Sequence, residues 1–148
     1  MCDALTLLRE RKEGVREIKP DLILSSCALR AQQTTDLLAQ KIEFKGKKYY
    51  LKELYLTSLE AIKEIICIQD NSFDSIFIIG HNPQLHELTN SLIDEHISKF
   101  SSLGIVAIDF DIDRWNQIEK TKGKIDFFIF PKQFKYYMPK QIRTYLGR

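Results

Sequence analysis

Two short segments of the sequence place polar side chains where chemistry is possible. Ser25 and Ser26 end an apolar run, and Arg30 follows them by about one helical turn. His81 and Asn82 follow a second apolar run in the same way. Arginine offers a rigid fork of N–H donors, and the start of a helix presents free N–H groups and a partial positive charge. The spacing therefore predicts an anion site, suited to phosphate, formed by these five residues.

Each of the charged or titratable residues also has a simpler interpretation. Arg30 could form a surface ion pair with Asp36, and His81 could be a hydrogen-bonded turn residue. The junction of strand, glycine and Asn-Pro around His81 favours a functional role, because binding and catalytic groups concentrate in such loops. His86 and His96 lie on polar, helical stretches, and we expect both to be solvated.

Other kinds of site are not supported by the residue spacing. Cys27 does not begin a Cys-x5-Arg phosphatase loop, because Gln33 stands where the arginine belongs. Asp109, Asp111 and Asp113 have the rhythm of a calcium loop, but neither its glycine nor its final glutamate follows. The sequence has no glycine-rich nucleotide loop and no zinc-like cluster of cysteine and histidine. We therefore predict neither a metal nor a cofactor.

Apolar periodicity predicts the elements that position these residues. Helices are predicted over residues 4–13, 27–42 and 58–69, the last with Ser58 as N-cap, and from Pro83 onward with Asn82 as cap. Strands are predicted in DLILSS, KYYLKELYL, SIFIIG, GIVAIDFDID and KIDFFIF. Strands and helices alternate early, and strands follow one another late. The sequence thus predicts an α/β fold with a mainly parallel sheet and a late antiparallel hairpin at one edge.

The helical and strand patterns also predict which side chains face the core. On the helix over 27–42 the predicted face consists of Ala31, Thr34 or Thr35, Leu38 and Ile42. On the helix after Pro83 it consists of Leu85, Leu88 and Leu92. The late strand over 104–113 alternates apolar and acidic residues, which predicts one buried and one solvated face.

Length and composition indicate one globular domain. The chain has 148 residues, of which 44% are apolar and 28% charged, as in ordinary soluble proteins. No apolar run approaches the ~20 residues of a membrane span, and no signal-peptide pattern is visible. Three scattered cysteines predict reduced thiols and a cytoplasmic protein.

We place the domain at residues 1–130 and a basic, aromatic tail at 131–148. The tail has five basic residues and no acidic one, whereas the rest of the chain has 17 basic and 20 acidic residues. Such a tail could contact phosphate-rich partners, a membrane surface or single-stranded nucleic acid. We favour a solvated extension with neither a membrane nor a nucleic-acid partner.

Two motifs in combination resemble a known family. Ser-Ser-x-x-x-Arg-Ala-x-Gln-Thr at residues 25–34, followed by Gly-His-Asn-Pro at 80–83, resembles the histidine phosphatase superfamily. The sequence is most similar to the SixA-type phosphohistidine phosphatases, from about residue 4 to about residue 130. The resemblance implies a three-layer sandwich. It also implies hydrolysis of phosphohistidine on a phosphotransfer protein, or of a small phosphoester, through a phosphohistidine intermediate and without metal or cofactor.

The resemblance assigns roles to residues of the anion site. Arg30 matches the second arginine around the phosphoryl group, and His81 matches the second histidine. Glu53 lies where related enzymes often place a proton-donating acid. The implied catalytic set is therefore His81, Arg30 and Glu53, with Ser25 and the other residues of the anion site holding the phosphate.

The family's nucleophile has no counterpart in this sequence. It is the histidine of an Arg-His-Gly or Arg-His-Ala sequence at the end of the first strand, and this chain contains no Arg-His dipeptide. We expect that this strand belongs upstream of residue 1, through a misplaced start or a gene lesion, and that the domain is N-terminally incomplete. The gap is expected between DLILSS and IFIIGH, with two strand edges unpaired.

Two functional interpretations follow from this departure. In the first, the chain is a phosphohistidine phosphatase whose activity is impaired or absent. In the second, it is a non-catalytic module in which Arg30, the serine pair and His81 hold a phosphate or a phosphorylated protein.

Overall fold

The computed structural model describes residues 3–9, 20–55, 57–98 and 104–129. Its centre is a six-stranded sheet with the strand order β3-β2-β4-β1-β5-β6. The strands are β1 (Asp3–Arg9), β2 (Leu22–Ser26), β3 (Lys47–Leu51), β4 (Ser75–Gly80), β5 (Ile105–Phe110) and β6 (Lys124–Ile129).

Within these ranges, three helices flank the sheet. They are α1 (Leu29–Lys41), α2 (Leu59–Cys67) and α3 (Gln84–Leu92), and short 3-10 turns lie at Lys52–Leu54 and Trp115–Glu119. The predicted cap of α2 is confirmed, because the Ser58 hydroxyl accepts a hydrogen bond from the Ala61 N–H at 3.2 Å. The predicted cap of α3 is wrong by one residue: Pro83, not Asn82, occupies the capping position. No helix in the described ranges has the length and apolarity to cross a membrane.

The pairing of the strands confirms the predicted fold class. β2 runs parallel to both β3 and β4, and β1 runs parallel to β5. β1 is antiparallel to β4, and β5 and β6 form the predicted antiparallel pair at one edge. The fold is therefore α/β, with parallel pairing predominant.

The two faces of the sheet are covered by different helices, which gives the three layers. The α2 and α3 side holds the larger core, including the predicted face of α3, whose three leucines are all buried. On the opposite face, α1 packs Ala31 and Ala39 against Ile23, Phe77 and Ile79. Small side chains on α1 let the helix approach the branched and aromatic residues of the sheet.

The prediction of one solvated face on the late strand is wrong in part. Val106, Ile108 and Phe110 are fully buried as predicted, but so is Ala107 on the other face. β1 and β6 pair with the two edges of β5, and the burial of Ala107 shows that its second face is covered near the middle of the strand. Asp109, which is half-buried, marks the more open end.

The predicted N-terminal helix is wrong, because residues 3–9 form the strand β1. Leu5 and Leu7 lie in the larger core, and Ala4 and Thr6 are also buried. A central strand buried on both faces needs an apolar run without alternation, and periodicity cannot separate such a run from a buried helix.

The predicted gap between β2 and β4 is also wrong. The two strands pair directly, with Ile23 opposite Phe77, and β1 lies on the far side of β4. The strand edges that were expected to be unpaired are therefore paired. The basic tail at 131–148 and residues 10–19 lie outside the described residues.

The arginine at the end of β1 contacts two other segments, the turn before β4 and the loop after β5. Arg9 forms an ion pair of 2.5 Å with Asp74, and its side chain is 14% exposed. It also donates to the backbone carbonyls of Asn71 at 2.8 Å and Asp113 at 2.6 Å. Its guanidinium lies 5.6 Å from the centre of the Trp115 ring. One side chain therefore links three segments that are distant in the sequence.

We expect Arg9→Met to lower the free energy of unfolding by about 2 kcal/mol, because a carboxylate and two carbonyls lose their donor. Urea denaturation would measure the change. Lys120→Met is the matched control, since Lys120 is exposed. Equal unfolding midpoints for the two variants would contradict the anchoring role of Arg9.

Candidate functional site

The carboxyl ends of the parallel strands β2, β3 and β4 lie side by side at one end of the sheet, which is called the site edge below. Ser26 ends β2, Leu51 ends β3 and Gly80 ends β4. Ligands of open α/β sheets bind outside this edge. The structure places the predicted site residues here: the serine pair at the end of β2, His81 after β4 and Glu53 in the turn after β3.

A hydrogen bond joins two of the predicted residues across the edge. His81 Nε2 lies 2.8 Å from Ser26 Oγ. The same oxygen accepts from the Ala28 N–H at 3.2 Å. The Ser26 hydroxyl can donate a hydrogen bond to a neutral imidazole or accept a hydrogen bond from an imidazolium. It can therefore hold the ring in either protonation state.

Buried hydroxyls lie behind Ser26. Thr35 on α1 donates to Ser25 Oγ at 2.9 Å, and Ser25 donates to the Ser26 carbonyl at 2.9 Å. All three side chains are fully buried. Ser25 therefore fixes the end of β2 from the α1 side, and its hydroxyl is turned into the protein.

Arg30 lies in the first turn of α1, and its side chain is exposed. The alternative ion pair with Asp36 does not form. Asp36 instead accepts a hydrogen bond from the Tyr50 hydroxyl and lies 3.5 Å from Lys48 Nζ. Within the described residues, Arg30 has no ion-pair partner. Its guanidinium is thus available to a ligand at the edge where His81 lies.

His81 is held on a second side by an aromatic ring. The Tyr55 ring lies edge-on to the imidazole, with centres 5.2 Å apart and planes at 70°. Burial lowers the pKa of His81 from its ordinary value of 6.5. The imidazole is therefore neutral at pH 7 when no ligand is bound.

The remaining predicted residues are less closely joined. Glu53 and Asn82 are both exposed at the same edge. Glu53 forms no hydrogen bond with His81 or Ser26 in the described ranges. The structure thus brings Ser26 and His81 into contact, and Arg30, Glu53 and Asn82 lie on the segments that follow β2, β3 and β4.

The two other histidines differ from each other. His86 was predicted to be solvated, and this is wrong: it is half-buried, and its Nε2 lies 2.5 Å from the Ile97 carbonyl oxygen. His96 is exposed as predicted. Across the described residues, no group of three or more histidine, cysteine or acidic side chains could hold a metal ion.

Two residues of the site were missed by the sequence analysis. Thr35 was one of two choices for the buried face of α1, and the periodicity did not separate it from Thr34. Tyr55 follows the turn after β3 but carried no signal of its own. Its contact with His81 depends on the pairing of distant strands, which local patterns do not report.

Comparison with known proteins identifies the fold. No protein-family model and no curated protein matches the sequence. Among solved structures, the chain is similar to a protein named as phosphohistidine phosphatase SixA from Nakamurella multipartitia. The TM-score is 0.65 and the identity 16%, over 88% of this chain and 97% of the other.

Two further structures agree. A protein of the same name from Agrobacterium tumefaciens gives a TM-score of 0.64 and 22% identity, over 86% of this chain and 97% of the other. A protein histidine phosphatase SixA complexed with tungstate gives 0.67 and 15%, over 88% of this chain and 99% of the other. The chain therefore has a histidine phosphatase-like fold, and within that class the SixA-type form.

We expect an NMR titration of the folded protein to give a His81 pKa below 6.5 that returns towards 6.5 on unfolding in urea. Because the unfolded state then binds more protons, this group stabilises the fold fully above pH 6.5. The stabilisation is lost as the pH falls through the lowered pKa. His81→Gln should remove this pH dependence, whereas His96→Gln at an exposed position should retain it. A folded-state pKa at or above 6.5 would contradict the burial of the ring.

Proposed function

We propose that this chain is a phosphohistidine phosphatase-type protein that binds a phosphoryl group at Arg30 and His81, with the buried Ser26 hydroxyl holding the imidazole, and hydrolyses it slowly or not at all. The observation that carries the proposal is the contact of Ser26 and His81 at adjacent strand ends. Arg30, which is exposed and has no ion-pair partner among the described residues, lies in the first turn of α1, the helix that follows β2, within a SixA-type fold. Phosphohistidine on a protein, or a small phosphoester, is the proposed ligand.

The chemistry of these groups suits a tetrahedral oxyanion. Arg30 supplies a fixed charge and a planar fork of donors, and the start of α1 adds a partial positive charge. Asn82 is proposed to contribute beside His81. One of the similar solved structures holds tungstate, which is a tetrahedral oxyanion like phosphate. That likeness supports an oxyanion as the ligand of this edge.

Protonation of His81 is proposed to accompany binding. An approaching dianion favours the imidazolium and therefore raises the pKa that burial has lowered. Ser26 can change from donor to acceptor as the ring gains its proton. Proton uptake would then allow His81 to neutralise charge on the phosphoryl oxygens.

The expectation of slow turnover rests on the nucleophile. The sequence has three histidines and none follows an arginine. His81 contacts Ser26, and His86 contacts the Ile97 carbonyl. Without a covalent phosphohistidine the rate should fall by several orders of magnitude. Glu53 is proposed to protonate the leaving group in any residual hydrolysis, because its exposed position after β3 leaves it open to a ligand.

The second candidate function is a non-catalytic module that binds phosphate or a phosphoprotein. It is favoured by the same absence of an Arg-His dipeptide, because Arg30 and His81 remain suited to binding when the chemical step is lost. Nucleic-acid binding through the tail lies outside the described residues and is not proposed.

Binding can be tested separately from turnover. We expect calorimetry to show that inorganic phosphate and tungstate bind the protein, and that Arg30→Ala weakens both by about tenfold or more through loss of a charge-assisted pair. Arg114→Ala is the matched control. It removes the same charge at the opposite end of the sheet. Arg114 precedes Trp115, whose backbone N–H donates to the side chain of Asn71, in the turn before β4. Equal affinity in the two variants would contradict the assigned site.

Turnover separates the two candidates. We expect hydrolysis of p-nitrophenyl phosphate and of a phosphohistidine peptide to lie several orders of magnitude below that of an intact two-histidine enzyme. Phosphate release in single-turnover assays would measure it. A residual rate that disappears in His81→Ala supports the impaired phosphatase. If the rate is at background and His81→Ala does not change it, while the parent protein still binds phosphate, the binding module is supported.

A further inference from the structure

Large apolar side chains are exposed beside the candidate site. In the described part of the chain, six large apolar or aromatic residues are substantially exposed. They are Leu29, Leu37, Tyr49, Tyr50, Tyr55 and Ile68. Five of the six lie between residues 29 and 55, on α1, β3 and the turn that follows. Clustered exposed apolar surface on a soluble protein marks a site of interaction.

The outer face of α1 carries part of this surface. Leu29 is 69% exposed and Leu37 is 56% exposed. Leu37 follows Arg30 by seven residues, so the two share one stripe of the helix. The opposite stripe contains Ala31 and Thr35, which are buried against the sheet. An apolar side chain thus lies along the same outward stripe as the proposed phosphate ligand Arg30.

The edge strand β3 extends the surface on one side of α1. The Tyr50 hydroxyl donates to the Asp36 carboxylate, and Lys48 lies 3.5 Å from the same group. Burial and the hydrogen bond that the Tyr50 hydroxyl donates to Asp36 raise the pKa of Tyr50 to about 12. The hydrogen bond fixes the Tyr50 phenol to Asp36, the residue that precedes Leu37 on α1.

The surface reaches the candidate site at its other end. Tyr55 is 47% exposed, and its ring contacts the His81 imidazole. We name the whole area the α1–β3 surface, formed by Leu29, Arg30, Leu37, Lys48, Tyr50 and Tyr55.

Charge indicates the kind of partner. Residues 29–55 contain six basic and three acidic residues, whereas residues 57–98 contain one basic and seven acidic residues. Opposite charges across an interface favour association, and like charges oppose it. The α1–β3 surface therefore fits an acidic protein better than a second copy of the same basic surface.

We propose that the α1–β3 surface docks an acidic protein surface that carries the phosphoryl group, and so directs the phosphohistidine to His81. This inference rests on the proposed function and adds the surface that selects the partner. Leucine and tyrosine side chains supply apolar contact, as in the centre of protein interfaces, and Arg30 and Lys48 steer the approach.

Two peptides of equal length test the docking. Each carries a stable phosphonate analogue of phosphohistidine, flanked in one by glutamate and leucine and in the other by lysine and leucine. Fluorescence anisotropy with the full chain should show about tenfold tighter binding of the acidic peptide, and the difference should shrink as salt rises.

A matched pair of variants locates the surface. Leu37→Asp should weaken the binding of the acidic peptide by about tenfold, because it places a negative charge within the interface. Ile68→Asp makes the same change at another exposed position, 78% accessible at the end of α2, and should have no effect. Both variants should bind inorganic phosphate as the parent protein does.

The outcomes separate the two proposals. If phosphate binds but the two peptides bind equally, or if Leu37→Asp and Ile68→Asp behave alike, the docking surface is overturned and the phosphate site stands. If phosphate does not bind the parent protein, the proposed function is overturned and the docking with it.

Discussion

The candidate site depends on one hydrogen bond, between Ser26 and His81, at the ends of two parallel strands. The bond is possible because β2 and β4 are direct neighbours, and adjacent strands lie about 4.8 Å apart. A strand between them, as the sequence analysis expected, would double that separation and break the contact. The apolar pairing of Ile23 with Phe77 therefore brings the polar ends together. The fold and the site are linked through this register.

Much of the fold follows from local sequence, and the failures have physical causes. β2 and β4 are short apolar runs that end in polar residues, so the positions of these two strands were predicted correctly. The segment at residues 3–9 is buried on both faces, and its periodicity therefore does not separate strand from helix. Tyr55 and His86 were misjudged because their contacts come from distant segments. Composition and spacing do not report such contacts.

Two arginines show how burial determines whether a positive charge is bound within the fold or is accessible to a ligand. The guanidinium of Arg9 is used by a carboxylate and two carbonyls at one edge of the sheet. At the other end of the sheet, Arg30 is exposed in the first turn of α1, and burial keeps the His81 imidazole neutral. The sequence analysis assigned the anion site to Arg30 and gave Arg9 no role, and the assignment of Arg30 stays a prediction. The surroundings, and not the residue type, determine which positive charge can meet a ligand.

The position of β1 affects the order in which the chain can assemble on the ribosome. β1 is synthesised before both of its neighbours in the sheet, β4 and β5. β2, β3 and β4 can pair as soon as residue 80 has emerged, whereas β1 has a complete set of backbone partners only after residue 110. Until then the apolar residues of β1 are exposed to solvent, which makes the nascent protein prone to aggregation. The central strand is thus made early and completed late.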